Sequence, residues 1–158
     1  MNLIVSFNAL VGITTPQKLK IKGYIKNKNI IALIYSGSTH NFIHCKIAKE
    51  LNYFLYPIEC QEMVANGWTI HFSGKCHNTK LTMGEYVLNS PMFSIPIGGV
   101  DVVIGVEWLQ YLGMISFNFQ EIFLNFFSEG KEVELQGISG KLGKIISSNV
   151  MKNLLKKE

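Results

Sequence analysis

The chain has 158 residues, with 15 lysines and no arginine against ten glutamates and one aspartate, Asp101, for a formal charge of +4. Without arginine, no bidentate guanidinium clamp for phosphate or base edges can be built, and chemistry needing an aspartate within one chain must use Asp101. The length suits a single domain, and 47% hydrophobic against 16% charged residues excludes a solvated, disordered chain.

Residues 17–25 alternate polar and apolar, with Lys18, Lys20 and Lys22 around Leu19 and Ile21, the pattern of a strand with one solvated face. Lys26-Asn27-Lys28-Asn29 reads as a turn. Ile30-Ile31-Ala32-Leu33-Ile34 follows as a buried strand, since β-branched residues dominate it. After Ser36-Gly37-Ser38-Thr39, a helix is predicted over residues 40–51, capped by Ser38 or Thr39, with Ile43, Ile47, Ala48 and Leu51 inward. Met63-Val64-Ala65 and Trp68-Thr69-Ile70-His71-Phe72 flank Asn66-Gly67, a strong hairpin signal because a type I′ turn needs two positive φ angles. Strands are predicted over 77–83, 86–95 and 100–104, then a short helix over 106–112 stopped by Gly113. Residues 117–127 and 132–135 read as two further strands joined through Ser128-Glu129-Gly130. The expected organisation is an extension over 1–16, a mainly β domain over 17–138 and a lysine-rich tail or linker over 139–158. Many strands with two short helices predict a closed or rolled barrel. A coarse echo runs through it: Ile34-Tyr35-Ser36-Gly37 and Val103-Ile104-Gly105 each carry a buried strand into a glycine turn and a helix.

The echo carries a resemblance. Ala32-Leu33-Ile34-Tyr35-Ser36-Gly37-Ser38-Thr39-His40-Asn41-Phe42-Ile43 resembles the active-site segment of retropepsin-like aspartic peptidases. It looks most like plant gypsy-type long-terminal-repeat retrotransposon polyproteins, whose segment has an aspartate ahead of Ser-Gly. The likeness continues through Val64-Ala65-Asn66-Gly67, Gly74-Lys75-Cys76, Gly98-Gly99-Val100-Asp101-Val102-Val103-Ile104-Gly105, Trp108-Leu109, Leu112-Gly113 and Phe117-Asn118-Phe119. It covers roughly residues 10–138 in the family's order.

The resemblance implies a retropepsin-like closed barrel that forms a homodimer and cleaves peptide bonds of a polyprotein. Each protomer would lend one Asp to a shared pair, one carboxyl keeping its proton while the other activates water. Ser36 would hold the active-site loops by hydrogen bonds, and Gly37 would let the backbone approach its twin. Ala65, Asn66 and Gly67 would form the substrate-covering flap. No cofactor and no metal is implied.

The departure falls on the catalytic position, where this chain has Tyr35. A phenol ionises near pH 10 and an aspartate near 3.9, so at pH 5 only about one phenol in 10⁵ is a base. Two such rings would also meet at the dimer axis, where the attacking water belongs. Asp101 reads as a residue at a strand start. The expectation is therefore a copy that keeps the fold and has lost hydrolysis. A second reading is a non-catalytic dimerisation or peptide-binding module; a third, an active peptidase completed by an Asp-bearing partner, would still offer one carboxylate at the axis.

The remaining signals are weaker. Ser36, Ser38 and His40 lack an oriented third group for a serine hydrolase. His40 and His44, with Cys45, Cys76 and His77, lack a Cys-x-x-Cys pair, so no metal site is expected. Phe117, Phe119, Phe123, Phe126 and Phe127 have no interleaved basic residues, which reads as core and dimer interface instead of a base-stacking platform. No nucleic-acid partner is expected. No apolar run approaches about 18 residues, and Met1-Asn2-Leu3-Ile4-Val5 lacks a basic leader, so neither a membrane span nor a secretory signal is expected. Cys45, Cys60 and Cys76 are odd in number, which favours a reducing, cytoplasmic or other intracellular setting.

Overall fold

The computed structural model describes residues 18–58, 62–65, 68–72, 74–118 and 120–138, with the backbone alone for 62–65 and 68–71. Strands β1 (Lys18–Ile25) and β2 (Lys28–Tyr35) pair antiparallel from Lys18↔Tyr35 to Ile25↔Lys28. The alternation read from the sequence is the alternation of burial: Leu19, Ile21 and Ile25 face the core while Lys18, Lys20 and Lys22 face solvent. Lys26 has a further task. From a left-handed turn position (φ 54°) its Nζ donates to the Leu51 carbonyl at 2.6 Å and lies 4.3 Å from the Tyr53 ring centroid.

The helix predicted over 40–51 is shorter than expected. Residues Phe42–His44 form strand β3, and only Cys45–Glu50 is helical (α1). Phe42 and Ile43 are fully buried, and sheet pairing on both sides satisfies their backbone, so tertiary packing overrides the helical reading. The cap is His44, whose Nδ1 accepts from the Lys46 amide at 3.0 Å, and not Ser38 or Thr39.

Strands β4 (Glu62–Ala65) and β5 (Trp68–His71) form a separate hairpin closed by the pair Ala65↔Trp68; Asn66 and Gly67, the expected turn, lie outside the described residues. Long strands β6 (Gly74–Met83) and β7 (Tyr86–Ile95) follow, then β8 (Val102–Ile104) and α2 (Val106–Leu112). Gly113 ends α2 at φ 77°, a conformation glycine adopts without steric cost, and its amide donates to Gln110.

The strand predicted over 117–127 is two strands. β9 (Ile115–Asn118) and β10 (Phe123–Ser128) are separated by a turn in which the Glu121 amide donates to Asn118 Oδ1 at 2.8 Å and Ile122 sits at φ 55°. Asparagine side chains stabilise such turns by accepting from the backbone nearby, a signal hidden by the run of aromatics. β11 (Lys131–Gln136) completes a three-stranded sheet in the order β11-β10-β9.

Six strands close a barrel in the order β1-β2-β8-β3-β7-β6. Its core includes Ile21, Ile34, Ile43, Leu81, Met92 and Ile104, and continues through Trp108 onto Leu124, Phe126 and Leu135 of the three-stranded sheet. Trp108 bridges the layers, its Nε1 donating to the Tyr86 hydroxyl at 3.1 Å and its ring meeting Phe126 edge-on. A second buried cluster, Phe42, Phe72, Phe93, Ile95, Val100 and Val103, covers the other face of β2 and β8. Of the aromatic run assigned to core and dimer interface, Phe126 is buried and Phe127 is 70% exposed; Phe119 lies outside the described residues. No helix among the described residues is long and apolar enough to cross a membrane.

Candidate functional site: the turn after β2

Strand β2 alternates its side chains, so Ile30, Ala32 and Ile34 enter the barrel while Ile31, Leu33 and Tyr35 point to the second cluster. Tyr35 is the last residue of the strand. It is half-buried and packs against that cluster, and Lys18 Nζ lies 5.3 Å from its ring centroid, within cation–π range. The chain then turns sharply, the Ser38 amide donating to the Tyr35 carbonyl at 3.1 Å, with Gly37 and Ser38 buried and Ser36 half-buried.

Parallel pairing fixes what lies beside this turn. β2 and β8 align Ala32↔Val102, Leu33↔Val103 and Ile34↔Ile104, so the residues that leave the ladder together are Tyr35 and Gly105. A Cβ at Gly105 would stand 2.4 Å from the Ser38 carbonyl oxygen and 2.8 Å from that of His40. Only glycine fits. The Val106 amide donates to the same Ser38 oxygen at 2.7 Å, and Ser38 Oγ donates to the His40 carbonyl at 2.8 Å.

Asn41 completes the scaffold. Its Oδ1 accepts from the Gly105 amide at 2.8 Å, and its Nδ2 donates to Ser90 Oγ at 2.7 Å, which donates to the Pro91 carbonyl. Asn41 is 3% exposed, so these bonds replace water for a buried amide. Sequence reading placed Asn41 only as one letter of a motif. Its signal was a polar residue directly before the apolar pair Phe42-Ile43.

Asp101, the sole aspartate, is fixed elsewhere. Its Oδ2 accepts from the Ile31 amide at 2.8 Å, its own amide donates to the Ile31 carbonyl, and its carbonyl accepts from the His44 amide. Ile31 lies four residues before Tyr35 on β2, about 13 Å along an extended strand. Asp101 therefore ties β2 to β3 just before β8, its carboxylate and amide bonding Ile31 and its carbonyl the His44 amide, away from Tyr35.

His40 and His44 do not share a helix face. The His40 ring contacts Thr39 Oγ1 through Nδ1 at 2.8 Å and meets Phe93 edge-on, whereas His44 caps α1. Burial lowers the His40 pKa below the ordinary histidine value; Glu107 opposes that shift and Lys75 adds to it. Cys45 and Cys76 are free thiols, and burial raises that of Cys76; Cys60 lies outside the described residues. The β4–β5 hairpin that carries Ala65 leads directly into Phe72, a member of the cluster on which Tyr35 packs.

The architecture is similar to a solved crystal structure, the retroviral protease-like domain of Ddi1 from Leishmania major, with a TM-score of 0.58 over 77% of this chain and 94% of that one. The fold is retropepsin-like. At 12% identity the likeness is one of fold. No protein-family model matches the chain, and no curated protein matches it.

Proposed function

We propose that residues 17–138 are the aspartic endopeptidase domain of a gypsy-type retrotransposon polyprotein that has lost peptide hydrolysis because Tyr35 occupies the position of the catalytic aspartate. The observation that carries this reading is the register of β2 on β8, which sets Tyr35 at the head of the turn locked by Gly105 and Asn41. In an active dimer, two carboxylates share one proton there; one takes a proton from water while the other protonates the carbonyl oxygen, and the pair then returns a proton to the leaving amine. Tyr35 puts a phenol where the pair needs a carboxylate, so the step that creates the nucleophile has no carboxylate base. Positioned acid–base catalysis alone is worth roughly 10² to 10⁴ in rate. Asp101 does not replace it, being committed to the Ile31 amide. In this reading Ser36 and Gly37 shape the turn, and Ala65, Asn66 and Gly67 form the flap over a peptide, between two copies of the chain.

A second reading has its own support. Tyr35 is part of an apolar cluster with Phe42, Phe72 and Phe93, which suits a non-catalytic module that dimerises or binds peptides through the old cleft. Both readings predict no turnover. Purified protein incubated with a broad peptide library at mildly acidic pH tests this, and pepstatin-sensitive cleavage contradicts both. Size-exclusion chromatography with light scattering then separates a dimer from a monomer.

A further inference from the structure

The β6–β7 hairpin, α2 and the β10–β11 hairpin enclose an open groove of about 1370 Å³, whose lining includes Asn41 and Ser90 but not Tyr35. Small-molecule pockets span roughly 300–1,000 Å³, so this one is on the scale of a polypeptide segment. Its charged lining is one-sided: Glu85, Glu107, Glu129, Glu132 and Glu134 against Lys131 alone, all six exposed. Half of the chain's ten glutamates therefore collect on one surface of a protein whose net charge is +4. Among the described residues none of the five is ion-paired, whereas Glu50, outside the groove, pairs with Lys28 at 2.6 Å.

The groove also offers apolar surface. Tyr86 and Trp108 line it, and Tyr111 and Phe127 stand 82% and 70% exposed at its sides. Its occupant must then carry several cations and several aliphatic side chains at once. One such segment is in the chain itself. Residues 141–157 hold Lys141, Lys144, Lys152, Lys156 and Lys157 and no acid, interspersed with Ile145, Ile146, Leu154 and Leu155.

We propose that this groove is the docking site of the chain's own lysine-rich segment, residues 141–157. Lysine stems cover aromatic surface while their ammonium groups reach carboxylates, so Tyr111 and Phe127 and the rim glutamates are used together. Reach is not limiting. The Ile138 amide is held by the Lys20 carbonyl at 2.7 Å, and Glu134 on the groove lies four residues earlier, about 13 Å along a strand. A span of that size needs only about four or five extended residues. Covalent tethering raises the effective concentration to the order of millimolar, so modest contacts suffice.

The test uses the full chain, mixed in natural-abundance and ¹⁵N-labelled forms, and a zero-length carbodiimide reagent that joins lysine to glutamate. Peptide mass spectrometry is expected to find links from Lys152, Lys156 or Lys157 to Glu107, Glu129, Glu132 or Glu134, within chains of one label. Raising salt from about 0.1 M to about 1 M shortens the screening length from about 10 Å to about 3 Å and should cut their yield several-fold. The triple variant Lys152→Glu, Lys156→Glu, Lys157→Glu, outside the barrel, should lose the links. Adding Glu129→Lys, Glu132→Lys and Glu134→Lys should restore them with the charges exchanged. Links spread equally onto Glu50 and Glu121, links found only between differently labelled chains, or no links overturn the proposal.

Discussion

Strands β2 and β8 lie side by side and parallel, β2 ending in a tight turn and β8 running through Gly105 into α2, yet the two strand ends tolerate change very differently. Where β8 ends, the Ser38 carbonyl leaves 2.4 Å for any Cβ at Gly105, and Asn41 holds the glycine amide from the other side. Where β2 ends, Tyr35 is half-buried at the margin of an apolar cluster, with a lysine over its ring. One position is dictated by the backbone around it. Tyr35 should therefore accept substitution at less cost to folding than Gly105.

That contrast can be broken most readily at Gly105. Gly105→Ala drives a methyl group into two carbonyl oxygens, and overpacking of this kind costs about 3 kcal/mol. Urea denaturation should show a large fall in midpoint at unchanged slope. A neutral result would mean the two strand ends are not locked together. Asn41→Leu is the next largest, leaving the Gly105 amide without its acceptor, at about 2 kcal/mol by the same measurement.

Asp101→Ala sharpens the comparison from a third direction. It removes the acceptor of the half-buried Ile31 amide and should cost about 1 kcal/mol. It should leave any cleavage by a Tyr35→Asp variant unchanged, because its carboxylate is committed to the Ile31 amide. A loss of that cleavage beyond what the stability change explains would return Asp101 to the catalytic site.

The smallest effect concerns pH. Burial lowers the His40 pKa in the folded state, so the unfolded chain takes up the proton first as the solution is acidified. Stability is full above the ordinary histidine pKa of about 6.5 and falls as pH drops from there toward the lower folded value. His40→Gln should flatten this part of the profile, read as denaturation midpoints on either side of the histidine range. An unchanged slope would assign it to other groups.

Much of the barrel was legible because burial follows the period of two. Lys18 to Ile25 alternates in sequence as it does in space, and α2 occupies the predicted residues with Gly113 at its end. The errors came where tertiary partners overrule local pattern. Phe42 and Ile43 look helical beside Ile47 and Ala48, but strands β7 and β8 on either side claim them. The aromatic run after residue 116 conceals a turn set by one asparagine side chain. At the site, the segment around Tyr35 was visible as a motif, whereas the Asn41–Gly105–Ser90 network was not. Residues 41, 90 and 105 meet only through the crossing of three strands, and no spacing in the sequence encodes that meeting.

The central claim is that one side chain silences an otherwise intact scaffold. Wild-type protein and Tyr35→Asp, both folded and compared at mildly acidic pH on the same peptide library with and without pepstatin, test it directly. The account predicts no cleavage by the wild type and pepstatin-sensitive cleavage by Tyr35→Asp. Cleavage by the wild type, or a well-folded dimer of Tyr35→Asp that remains inert, would contradict it.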